Sequence, residues 1–163
     1  MKHLITYTQK ELDDELLKYS ESKSSLQKVR ELITDGANVN CFDSSKSRTP
    51  LIKAVIKLNY SIIKLLIESG ADVNLTNRVN ENCLFHIVDN NKWNYTTYKF
   101  KIDNIIDLIM KSGIDLNTKN IKGLDIFSRI NSSNPIILQY IIDNYPKKYE
   151  EYKLKKEAGK FNI

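Results

Sequence analysis

Three stretches of this sequence are variants of one phrase: LITDGANVN at 32–40, LLIESGADVN at 65–74 and LIMKSGIDLN at 108–117. In each, an apolar helical run meets a glycine. A small or apolar residue follows, then an acidic or amide residue, an aliphatic one and Asn. The glycines, Gly36, Gly70 and Gly113, stand 34 and 43 residues apart. Self-similarity at such a period marks a chain of stacked units, none of which can bury its apolar face alone. The second interval is one period of about 33 residues plus about ten, so the third unit carries an insertion.

The phrase has a physical reading. An amphipathic helix over Ser61–Ser69 buries Ile62, Ile63, Leu65, Leu66 and Ile67. Gly70 takes the left-handed conformation that ends it. Asn74 suits the start of a tight turn, because its side chain can bond nearby backbone groups. Upstream, Thr49 stands at a helix N-cap and Pro50 at the first helical position, where a missing N–H costs nothing. Leu51, Ala54 and Val55 form a short apolar stripe, and Leu58–Tyr60 turn the chain into the next helix. Thr8–Glu11 (TQKE) reads as a capping box. The pattern predicts helix pairs at 8–19 and 25–35, 50–57 and 60–69, 83–89 and 99–112, and 125–131 and 135–144.

TPLIKAV (49–55) resembles the TPLHxAA phrase of the ankyrin-repeat family, and GADVN (70–74) resembles its hairpin phrase. Thr49 precedes Gly70 by 21 residues, which is that family's spacing. The resemblance implies an all-α solenoid of about four helix-turn-helix units joined by hairpin loops. The array spans 1–145, with units at 8–40, 41–74, 75–117 and 118–145. A charged C-terminal tail at 146–163 is either a short helix packed on the last unit or a flexible end. Ile52 stands where the family has its His. Asn82–Phe85 replace TPLH in the third unit, with His86 displaced by one. Asp125–Ser128 replace it in the fourth, where Asp125 can still cap a helix.

Composition narrows the function classes. The net charge is +5, but residues 146–163 supply +3 of it, and 21 of the 25 basic residues are Lys. Arg is the usual reader of base edges, so nucleic acid is not the expected partner. No apolar run approaches the 18 or so residues a membrane span needs, so no membrane insertion is expected. No secretory signal opens the chain, which points to the cytoplasm, or to a host-cell cytoplasm for an exported effector. Cys41 and Cys83 lie 42 residues apart without metal-ligand spacing and read as small buried side chains. His3 and His86 have no nucleophile at a useful spacing, and the glycines occur singly, so no phosphate-cradling loop exists. No enzyme activity, cofactor, metal or small-molecule substrate is expected.

The expected function is binding to another protein. The resemblance implies recognition through the hairpin tips and the exposed side of each first helix. By position this selects Arg48, Ile56 and Lys57, then Arg78, Val79, Glu81, Asp89 and Asn90, then Ile121, Lys122, Leu124 and Ser132. The insertion, Asp89–Tyr98 (DNNKWNYTTY), is expected as a loop between helices. Its Trp93, Tyr95 and Tyr98 are either partner anchors or padding on the next unit. Mixed apolar and basic character suits an acidic, partly apolar protein. Ile, Lys and Asn number 21, 21 and 17, as in products of AT-rich genomes such as intracellular bacteria and large viruses. That composition is compatible with an effector acting on a host protein. The alternatives are a structural or adaptor subunit, and a nucleic-acid-associated protein that uses the basic tail.

Overall fold

The computed structural model describes residues 7–22, 24–44, 47–88, 95–133 and 135–159. Nine helices follow one another among them: α1 (Gln9–Ser20), α2 (Leu26–Thr34), α3 (Pro50–Ile56), α4 (Tyr60–Glu68), α5 (Cys83–Val88), α6 (Tyr95–Lys111), α7 (Ile126–Ser133), α8 (Pro135–Asn144) and α9 (Pro146–Ala158). Among the described residues no strand forms; a single antiparallel bridge pairs Lys119 with Asp125. The first eight helices make four antiparallel pairs. The first helix of each pair packs on the first of the next, α1 on α3, α3 on α5 and α5 on α7, while α2, α4 and α6 form a second layer behind. The chain is an all-α solenoid with one apolar core running from Leu12 to Tyr152.

The caps explain where the helices start. Thr8 accepts the Glu11 N–H while the Glu11 carboxylate receives the Thr8 N–H, a complete capping box. Thr49 accepts the Ile52 N–H at 3.2 Å with Pro50 next to it, and the Ser128 N–H reaches Asp125 Oδ1 at 2.8 Å. Thr49 is only 2% exposed, so its loss also leaves a buried N–H without a partner. We expect Thr49→Ala to lower stability by about 1 kcal/mol, read from the urea midpoint at unchanged slope.

The hairpins are tied together by side-chain amides. Gly70 sits at φ +90°, and a Cβ placed there would meet nothing within 4 Å. It is therefore the dihedral, not crowding, that calls for glycine. Asn74 does more than start a local turn: its amide donates to the Gly113 carbonyl at 3.2 Å and accepts the Asp115 N–H at 2.7 Å, both in the next hairpin. Asn40 does the same one unit earlier, donating to Gly70 at 3.1 Å and accepting from Asp72 at 2.8 Å. At the first hairpin the two tasks are divided. Gln9 donates to the Gly36 carbonyl and Asp13 accepts the Asn38 N–H.

The third unit departs from expectation. Helix α6 begins at Tyr95, four residues earlier than the apolar pattern placed it. The Tyr95 hydroxyl donates to Asp103 at 2.6 Å, and the Lys99 ammonium pairs with the same carboxylate while lying over the Tyr95 ring. These contacts at i, i+4 and i+8 stitch about one extra turn onto the helix. The tail, too, is helical. In α9, Tyr152 is buried and its ring lies 4.2 Å from that of Phe127, with Tyr149 edge-on to Phe127 at 5.2 Å.

Candidate functional site

The hairpins form one continuous edge. Arg78 donates through Nε to Ser47 Oγ and through Nη2 to the Ser44 carbonyl, both at 2.6 Å. The Ile121 N–H reaches the Val79 carbonyl at 3.0 Å, and Asn80 donates its amide to the Lys119 carbonyl. In the second and third hairpins an amide oxygen holds the loop: Asn77 accepts the Val79 and Glu81 N–H groups, and Asn120 accepts those of Lys122 and Leu124. Asn120 also donates to Glu81. A surface built this way keeps its shape on binding and loses little conformational entropy.

That edge carries apolar side chains in solvent. Ile121 is 69% exposed and Val79 36%, with exposed Arg78 and Lys122 beside them. Phe42, 46% exposed, adds a third apolar side chain that the sequence reading did not select. Its signal would have been the hairpin register, since it stands two residues after Asn40, as Lys119 does after Asn117. Arg48, Lys57 and Glu81 are half-buried. Ile56 and Leu124, expected in solvent, are also half-buried, and Ile56 packs partly against the core.

The insertion residues divide. Asp89, Asn90 and Trp93 lie outside the described residues, and the expectation for Trp93 rests on its sequence. Tyr95, expected on an exposed loop, is 7% exposed on α6 with its hydroxyl on Asp103, so it pads rather than projects. Burial, then the Asp103 carboxylate, push its hydroxyl pKa up. Tyr98 is half-buried and packs against the core. Phe100, which the sequence reading passed over, is 85% exposed on the same helix. Ser132 falls within α7.

Charged and polar groups on the inner face of the first helices show what chemistry is available. Lys53 pairs with both Glu21 and Asp43; burial opposes its charge, yet the two carboxylates hold its pKa above the usual lysine value. One unit on, His86 occupies the Lys53 position and lies 3.3 Å from the Asn77 amide. Burial pushes the Cys41 and Cys83 thiols up to about 12, so both stay protonated near neutrality and are poor nucleophiles. Among the described residues no group of three His, Cys, Asp or Glu side chains could hold a metal ion, and no helix is long and apolar enough to cross a membrane. In α9 the lysines interleave with carboxylates: Lys153 pairs with Glu150, Lys156 faces Asp125, and Lys148 donates to the Met110 carbonyl. They do not form a stripe of one sign.

A family model described as ankyrin repeats in three copies matches residues 1–77 and 20–120. An ankyrin repeat protein of Acanthamoeba polyphaga mimivirus is 30% identical over 141 residues, covering 84% of this chain and 81% of that protein. Among solved structures, the ankyrin repeat domain of Bcl-3, a unique member of the IkappaB protein family, superposes with a TM-score of 0.59 at 22% identity. That alignment covers 70% of this chain and 45% of the Bcl-3 chain, less than half its length, and the likeness is one of fold.

Proposed function

Because this chain belongs to the ankyrin-repeat family, we propose that it is a non-catalytic module that binds another protein along its hairpin edge. Ankyrin repeats are in general protein-interaction units. The observation that carries the reading here is the edge itself. Val79 and Ile121 stand in solvent on hairpins bonded to one another through the Ile121 N–H and the Val79 carbonyl. Apolar side chains on a rigid frame gain by being covered, and basic neighbours bias which partner covers them. Arg78 and Lys122 favour a protein whose contact surface is apolar with acidic surroundings. The likeness to a mimivirus protein, with the Ile, Lys and Asn-rich composition, supports a viral product that acts on a host protein in the host-cell cytoplasm.

The test is binding of the partner that the intact chain captures. Ile121→Glu puts a charge at the centre of the proposed contact while leaving a surface side chain exposed. We expect at least about a ten-fold loss of affinity, roughly 1.4 kcal/mol, with the melting temperature unchanged. Unchanged affinity for both Ile121→Glu and Val79→Glu would move recognition off the hairpin edge.

A further inference from the structure

Among the described residues the third hairpin is the last. Asn40 and Asn74 each hold the hairpin that follows, but after α8 the chain passes through Tyr145 and Pro146 straight into α9. Asn117, the corresponding residue of the third hairpin, turns its amide back onto Asp115 Oδ1 of its own loop at 2.9 Å. Where a fourth hairpin would lie, two adjoining hollows of about 590 and 190 Å³ open between the hairpin and α9. Both are lined by Asp115, Asn117, Tyr152 and Lys155.

Lys119, Lys148, Lys155 and Lys156 line the two hollows against Asp115, Asp125 and Glu151, a small excess of positive charge. Asp125 is already engaged: burial opposes its charge, but the Ser128 N–H and nearby Lys156 outweigh that and hold its carboxyl below the usual range. Asp115 accepts the Asn117 N–H and is held low chiefly by that bond. Lys119 and Lys155 also line the larger hollow. Among the described residues neither is in an ion pair, although the field of Lys155 reaches Asp115. Among the described residues an incoming anionic group therefore meets two ammonium groups outside any ion pair, with Asp115 and, one turn from Lys155 on α9, Glu151 as the nearest opposing charges on the lining.

We propose that this cleft binds an extended acidic segment of a partner protein, laid along the third hairpin as a fourth hairpin would be. A carbonyl of that segment accepts from the Asn117 amide, the N–H two residues on donates to Asn117 Oδ1, and an acidic side chain lies against Lys119 and Lys155. This is the pairing that Asn40 and Asn74 already make inside the molecule. Rotating the Asn117 amide outward leaves Asp115 its bond from the Asn117 N–H, so little is lost on opening. The inference rests on the protein-binding reading and adds a second contact to it, at the end of the array.

The probe is a blocked peptide of residues 68–75 (ESGADVNL), the phrase that Asn40 receives, titrated into the full ¹⁵N-labelled chain. We expect shifts at the Asn117 side-chain amide and at the Lys119, Gly123 and Lys155 backbone. Asn117→Ala should weaken the peptide by about ten-fold, the scale of two lost hydrogen bonds. Lys155→Glu, on the surface of α9, should weaken it too and flatten its salt dependence. No shifts at these positions up to millimolar peptide, or equal affinity in Asn117→Ala and the unaltered chain, would overturn the proposal. Partner binding through the Val79–Ile121 edge, measured on the same proteins, separates the two ideas. Intact edge binding without peptide binding sinks this inference alone, and peptide binding without edge binding sinks the wider reading alone.

Discussion

Leu66→Ala is expected to lower the unfolding free energy by about 2–5 kcal/mol, the range for deleting a buried leucine and leaving a cavity. Leu66 is 0% exposed on α4, the back-layer helix that packs on α2 before it and α6 after it. Its carbonyl also receives the Ala71 N–H at 2.9 Å, so the residue sits where the helix turns out into the hairpin. In a solenoid each unit touches only its neighbours, and a cavity in the second unit weakens the interfaces on both sides of it. The surrounding helices cannot collapse onto the gap without shifting a stacked neighbour, which favours the upper half of the range. Urea unfolding followed by circular dichroism reads the change. A midpoint that does not move would place Leu66 outside the core and undo the register of α4; a broadened transition would show that the two ends of the array had uncoupled.

What the sequence made legible were features decided within a few residues. Gly70 and its two counterparts had to reach positive φ, and Thr49–Pro50 and Thr8–Glu11 had to start helices, because caps and turns are short-range chemistry. Features decided between units were misread or missed. Asn74 looked like a turn residue, yet it bonds groups 39 and 41 positions ahead, and only the stacking register brings those within reach. Ile56 and Leu124, expected in solvent, are half-buried, Ile56 against the core. The start of α6 had no apolar period to announce it, since TTYKFK carries none; Tyr95, Lys99 and Asp103 hold it instead. For the tail the sequence left a helix packed on the last unit and a flexible end as alternatives, and Tyr149 and Tyr152 hold it against Phe127 as the helix.

Of the candidate binding residues, the hairpin tips kept the exposure that recognition needs and Tyr95 did not. That contrast yields a paired experiment on the insertion. Tyr95→Phe removes the hydroxyl from the buried Asp103, leaving it Lys99 as its partner among the described residues. Losing a hydrogen bond to a charged group costs about 1.5–3 kcal/mol, so stability should fall while partner affinity holds. Trp93→Ala is expected to do the reverse. The Tyr95–Tyr98 part of the insertion is taken up in α6 and its packing, while the segment 89–94 between α5 and α6 adds a loop-closure cost that grows only slowly with length. A large aromatic side chain in such a segment is of most use as an anchor in a partner's pocket. Its truncation should then cost 2 kcal/mol or more of binding, roughly thirty-fold, with the melting temperature unmoved. Calorimetric titration of the captured partner and thermal unfolding, run on both variants, give the four numbers needed. If Trp93→Ala behaves like Tyr95→Phe, losing stability and keeping affinity, the insertion pads the array and recognition belongs to Val79, Ile121 and their basic neighbours.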